Sequence, residues 1–143
     1  MMIKGLAHTA LNVADMEKSV AFYCGVLGFK KAFEMPKPET GEPWIVYLYC
    51  GGGQFIELFY GGVNYTEYSN DNIGFSHLCF EVRDIHEIAD AIEKAGLELD
   101  RPVKCGCDNN WQCWARDPDR NRIELMQVGE GSPQVNFLRS VQE

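Results

Sequence analysis

A chain of 143 residues with 45 % hydrophobic and 24 % charged side chains is long enough for one real core and is composed like a globular protein. Thirteen Lys and Arg against 21 Asp and Glu leave a formal charge of −8, which argues against a phosphate-neutralising nucleic-acid surface. No apolar run reaches bilayer length and the opening MMIKGLAH has no long apolar signal region, so a cytoplasmic protein without membrane contact is expected.

Taken in chain order, GLAHTALNV (5–13) reads as a strand. Asp15 is a helix N-cap before MEKSVAFYCGVLGF, whose apolar Met16, Val20, Tyr23 and Leu27 recur at helical spacing, and Gly28 is the stop. KKAFEM follows, then a loop rich in Pro, Gly and Glu at 36–43, the β-rich run WIVYLYC, a GGG turn at 51–53, and a returning strand, QFIELFY. Residues 61–73 have the composition of a linker; Asn64-Tyr65-Thr66 within them matches a glycosylation acceptor and reads as chance.

The second half repeats the order. GFSHLCFEV (74–82) is a strand, Asp84 caps a helix with an apolar stripe at Ile85, Ile88, Ala89 and Ile92, and Gly96 ends it. Strands near LDRPVK and at WQCWAR, a DPDRN turn and the strand RIELMQV complete the half. The expected modules run from about 1 to 62 and 73 to 129 within a single domain, with 130–143 as a C-terminal tail. The six cysteines are expected as free thiols; Cys105-x-Cys107 with Cys113 fits no common zinc spacing and reads as small hydrophobes.

The repeat extends to single residues. His8 and His77 lie in the first strand of each half, Glu57 and Glu124 in the last, with His-to-Glu separations of 49 (57 − 8) and 47 (124 − 77). Strand alternation puts His8 on the face opposite Thr9, Leu11 and Val13, and Glu57 opposite Ile56 and Leu58. His77 opposes Leu78 and Phe80 in the same way, and Glu124 opposes Ile123 and Leu125. The His and Glu face also carries Phe55, Phe59, Phe75 and Met126, so the four polar residues are expected in a partly apolar cup. Two bare carboxylates there would repel, and a divalent cation removes that cost. Two imidazoles and two carboxylates without thiolate suit Ni, Co or Zn, and also Mn or Fe(II), and leave room for water or substrate. His86, at the start of its helix, reads as a solvated surface residue.

HTALNVADMEKSVAFYCGVLGF, FIELFY, GFSHLCFEV and DPDRNRIELMQ resemble the vicinal oxygen chelate superfamily and, within it, the glyoxalase I (lactoylglutathione lyase) branch, over about Lys4 to Val128. The resemblance implies an α+β fold of paired βαβββ modules forming a cupped mixed sheet around a metal, with His8, Glu57, His77 and Glu124 as ligands. It implies a lyase that turns a 2-oxoaldehyde–thiol hemithioacetal into a 2-hydroxyacyl thioester through an enediolate. Glu124 is then the base, and Glu57 tunes the charge and shares the proton shuttle. The partner is a small-molecule substrate, and a homodimer is expected, with the site formed within one chain or across two. The family's Arg four residues after the first His and Asn four after the first Glu are here Asn12 and Gly61, which lack the cationic clamp, while Lys104 resembles its basic loop residue. Asn12, Phe55, Phe59, Phe75, Lys104 and Met126 are the substrate-contact candidates, and Trp44, Tyr60, Trp111 and Trp114 are candidate walls of an altered pocket. Rival readings on the same fold are an epimerase, an extradiol dioxygenase-like enzyme, for which a fourth ligand at Glu57 is one too many, and a non-enzymatic resistance-type binding protein, which would lack the ligands.

Overall fold

The computed structural model describes residues 2–65 and 67–141; Thr66, and with it the complete Asn64-Tyr65-Thr66 triplet, lies outside the described residues. The chain divides into two compact units, Met1–Glu67 and Tyr68–Glu143. Each runs strand, helix, three strands, the order expected from the sequence, and each builds its own four-stranded mixed sheet.

The first unit contains β1 (His8–Val13), α1 (Met16–Val20) continuing into a π-helical segment (Ala21–Val26), then β2 (Lys30–Pro36), β3 (Pro43–Gly51) and β4 (Gln54–Tyr60). The sheet order is β1-β4-β3-β2, with β1 parallel to β4 and the other pairs antiparallel. The Asp15 carboxylate accepts from the Lys18 N–H at 3.1 Å, giving one orphan amide of the first helical turn a partner. The wider π turn shows in the Leu27 N–H bond to the Phe22 carbonyl at 3.1 Å, and it turns Phe22 and Tyr23 inward. Tyr23 is fully buried, edge-on to Phe22 and stacked on Phe29. Val13, Val46, Leu48, Ile56 and Leu58 complete the core from the opposing sheet face.

The second unit contains β5 (Leu78–Glu81), α2 (Ile85–Lys94), β6 (Arg101–Cys105), β7 (Trp111–Arg116), β8 (Arg122–Gln127) and α3 (Pro133–Ser140). Its order, β5-β8-β7-β6 with β5 parallel to β8, repeats that of the first unit. Asp84 accepts from the N–H groups of His86 and Glu87 at 2.8 and 3.1 Å, and the helix buries Ile85, Ala89 and Ile92, with Ile88 at its margin. The Ile85 N–H donates to the Gln127 side chain at 2.9 Å, tying the start of α2 to the end of β8. Gly28 and Gly96, the two expected helix stops, both sit at φ +76°, a left-handed geometry that a Cβ penalises.

Three boundaries differ from the sequence reading. The first strand begins at His8 rather than residue 5. The strand expected over 74–82 forms only over 78–81, because its partner β8 starts at Arg122 and the ladder opens with Leu78 against Ile123. Residues 130–143, expected as a tail, contain α3, capped by the Ser132 hydroxyl on the Val135 N–H and led by Pro133. The buried Asn110 anchors this segment, donating to Asp108 at 2.8 Å and Gln134 at 3.2 Å and accepting from the Gly129 N–H at 3.0 Å. The six cysteines are free, and burial pushes the Cys113 thiol up to about 11. Among the described residues no helix is long and apolar enough to cross a membrane.

The DPDRN turn aims β8. The buried Asp117 carboxylate accepts from the N–H groups of Asp119 and Asn121 at 3.0 and 2.8 Å and from the Asn121 amide at 2.8 Å. Arg120 closes the turn at φ +66°. A side chain costs ~1–2 kcal/mol in that conformation, whereas glycine's extra unfolded-state freedom costs ~0.5–1 kcal/mol. Arg120→Gly is therefore expected to raise stability by about 0.5 kcal/mol, read as a small upward shift in thermal midpoint; a lower midpoint would show that the Arg120 side chain outweighs the strain.

Candidate active site

In the first unit β1 lies beside β4, and Ala10 faces Glu57 in the parallel ladder. His8, two residues earlier on the same face, brings Nδ1 to 3.3 Å from Glu57 Oε1. The imidazole is half exposed, while Glu57 is 7 % exposed, a carboxylate held on a largely covered sheet face. The antiparallel neighbour of Glu57 is Tyr47 on β3. Loss of water around its hydroxyl and the bond it donates to Glu57 both raise the Tyr47 pKa. Tyr47 is stacked on Phe33 of β2 at 4.3 Å between ring centres.

The second unit repeats this construction. Cys79, two residues after His77, faces Glu124 in the β5–β8 ladder, and Trp114 faces Glu124 from β7. His77 Nε2 lies 3.0 Å from Glu124 Oε2, and its Nδ1 is 3.1 Å from the Ser76 hydroxyl. The His77 ring packs on Trp114 with centres 4.7 Å apart. His77 stands just before β5 rather than within it, so Glu124, Ser76 and Trp114 set its orientation more than the strand ladder does. Desolvation first, and the neighbouring Glu124 carboxylate second, push the Cys79 thiol up to about 12, so the group beside Glu124 is a neutral S–H rather than a thiolate.

A model of the Glyoxalase/Bleomycin resistance protein/Dioxygenase superfamily matches residues 5–125. The chain belongs to this superfamily. It is 34 % identical over 132 residues to a probable lactoylglutathione lyase of Vibrio parahaemolyticus, covering 89 % of this chain and 93 % of that one. It is 31 % identical over 129 residues to the lactoylglutathione lyase of Salmonella typhimurium, covering 86 % and 92 %. A crystal structure of a glyoxalase family protein from Enterococcus faecalis superposes with a TM-score of 0.75 at 26 % identity, covering 89 % of this chain and all of that one.

Lactoylglutathione lyase relatives and the superfamily imply a divalent metal. Two donors at right angles around a cation, each ~2.1 Å from it, lie about 3.0 Å apart. The His–Glu pairs, at 3.3 and 3.0 Å, match that spacing, and each joins one imidazole to one carboxylate on a strand face. The residues thus fit a cation in donor type and in pairwise separation. Among the described residues no three His, Cys, Asp or Glu side chains gather at one point, so each unit presents a pair.

Other superfamily positions fall as follows. Asn12 is exposed on β1 opposite Phe59, and Gly61 follows β4. Phe55 and Phe59 are half-buried on the Glu57 face, Phe59 edge-on to Trp44, and Phe55 lies beside Phe33 and Tyr49. Met126 is half-buried on the Glu124 face opposite Gln112; Lys104 is exposed on β6 and also faces Gln112. Phe75 lies before β5 and is exposed, so strand alternation does not direct it. Of the proposed wall residues, Trp114 is buried beside Glu124, while Tyr60 and Trp111 are exposed. His86 is exposed, as expected, with its ring 6.2 Å from that of Trp111. Tyr47 was missed by the sequence reading, as was Trp114's place beside Glu124. Both precede their glutamates by ten residues (57 − 47 and 124 − 114), a spacing that points to the site only once the strand register is known.

Proposed function

We propose that this protein is a metal-dependent lyase of the glyoxalase I type, acting on the hemithioacetal formed from a 2-oxoaldehyde and a thiol. The observation that carries the reading is the Glu124 carboxylate oxygen set 3.0 Å from His77 Nε2, repeated by Glu57 and His8 at 3.3 Å. His8, Glu57, His77 and Glu124 would serve as the ligands of a divalent cation. The bound cation supplies Lewis-acid stabilisation of negative charge developing on substrate oxygens. Glu124 accepts the proton from C1 of the hemithioacetal and delivers it to C2, leaving a 2-hydroxyacyl thioester of the same atomic composition. Glu57, with Tyr47 donating to it, tunes the site's charge and shares the shuttle. Phe55, Phe59, Phe75 and Met126 flank the reacting atoms, with Asn12 and Lys104 as polar contacts. The reading includes a cytoplasmic homodimer.

The test is reconstitution of metal-free protein with Ni, Co, Zn, Mn or Fe(II), followed by assay with methylglyoxal and several thiols. At least one metal, with Ni, Co and Zn expected to lead, should restore thioester formation by more than a hundredfold over metal-free protein. Tight metal uptake with no turnover of any adduct would overturn the lyase reading in favour of a binding protein.

A further inference from the structure

The face of the second sheet that carries Glu124 also carries two guanidinium groups. Register places Cys79, Glu124, Trp114 and Arg101 in one row across β5, β8, β7 and β6, and directly opposed residues share a face. Arg122 precedes Glu124 by two residues on β8 and so lies on that face too. Both guanidinium carbons pack over the Trp114 indole, Arg101 at 5.3 Å and Arg122 at 4.7 Å from the ring centre, and Arg122 lies 4.1 Å from the Tyr68 ring. The His77 ring lies 4.7 Å from the same indole. Trp114 is thus a shared floor beneath two cations and the His–Glu pair, which places all of them within reach of one small molecule.

Among the described residues, Arg116 has Asp100 at 2.8 Å, but neither Arg101 nor Arg122 has a carboxylate within ion-pair distance. The chain has 21 acidic side chains for 13 basic ones, so composition does not force that lack. A guanidinium packed over an indole keeps in-plane N–H donors, the geometry that matches a carboxylate; one of those of Arg122 is taken by the Tyr68 hydroxyl, and the rest of its five-donor fork remains. The corresponding row of the first unit ends instead in Phe33 against Tyr47, with no cation, so the charge is particular to the Glu124 side.

We propose that Arg101 and Arg122, laid on Trp114, form an anion clamp that selects a thiol component bearing a carboxylate and holds that carboxylate on the Trp114 side of the site, away from the reacting carbons. This rests on the lyase reading for the identity of the bound molecule, but the clamp itself is testable without turnover. The two arginines are specificity-determining residues: they hold a remote part of the substrate, and that binding orients the reacting carbons toward Glu124.

The experiment is titration calorimetry of the full chain with 3-(hexylthio)propanoate and with its neutral amide. The two thioethers share one apolar tail, differ only in the carboxylate and cannot react. The carboxylate is expected to bind at least tenfold more tightly than the amide, with a preference that shrinks as salt rises. In R101Q/R122Q the two probes are expected to bind within twofold of each other. Equal affinity in the wild type, or no binding of either probe at millimolar concentration, would overturn the clamp without any variant having to fold. A preference surviving in a folded R101Q/R122Q, shown by an unchanged circular dichroism spectrum, would also overturn it. Retained preference with no turnover of any hemithioacetal by metal-loaded protein would reject the lyase reading and keep the clamp; turnover without preference would do the reverse.

Discussion

Glu124→Gln is expected to lower kcat/KM for the metal-loaded protein by about a thousandfold while leaving the thermal midpoint within a few degrees of the wild type. A positioned general base contributes roughly 10²–10⁴ to rate, and an amide at this position keeps an oxygen donor but accepts no proton at neutral pH. The fold is expected to persist because the strand's stability comes from its other face: Ile123 and Leu125 are buried, while Glu124 is half-covered beside His77 and Trp114. Metal content measured beside the rate separates the two roles of the carboxylate. Full metal occupancy with lost turnover assigns the loss to proton transfer, whereas lost occupancy assigns it to ligation. Glu57→Gln is expected to cost less, since Glu57 shares the shuttle without being its main base. Turnover close to wild type in Glu124→Gln would remove this residue as the base.

Leu125→Ala should produce the largest loss of stability, about 3 kcal/mol. Leu125 is 1 % exposed, faces Cys113 on β7 and Phe80 on β5, and lies on the surface that packs against α2. Removing three carbons from a fully packed site loses their transfer energy and leaves a cavity that rigid neighbouring strands fill poorly, at a cost of ~2–5 kcal/mol. Chemical denaturation with an unchanged denaturant slope is the measurement. Leu58, its counterpart in the first unit and equally buried, is expected to behave alike when truncated. A loss below 1 kcal/mol at Leu125 would mean that the interface between α2 and the sheet collapses around the missing atoms.

What was legible in the sequence follows from what the sequence encodes locally. Alternation along β1, β4 and β8 placed His8, Glu57 and Glu124 on faces opposite buried neighbours, because a strand's period leaves no third choice. The caps at Asp15 and Asp84 and the stops at Gly28 and Gly96 were readable because each satisfies a backbone need within a few residues. The extent of β5 was not, because a strand ends where its partner ends, and β8 lies some forty residues away. The π-helical segment at Ala21–Val26 was hidden for a similar reason: widening the helix is settled by the packing of Phe22 and Tyr23, not by any local signal. Tyr47 and Trp114 depend on cross-strand register, which the chain's own order does not display. Helix α3 is the one miss with a local signature, since Ser132-Pro133 is a readable start. That Arg101 and Arg122 have no carboxylate partner among the described residues could not be recognised either, because it is a property of three-dimensional neighbours alone.

The hydrogen-bonded ladder of the first sheet closes entirely between His8 and Tyr60, with its one parallel pairing spanned by the helical segment and the β2–β3 hairpin. During synthesis, every strand that this sheet requires has therefore been polymerised before any strand of the second sheet is made. A nascent chain can complete its first sheet early, hiding Ile56 and Leu58 from chaperones and neighbouring chains while the second half is still being translated. A duplicated module arranged this way halves the length of polypeptide that must remain open at any moment.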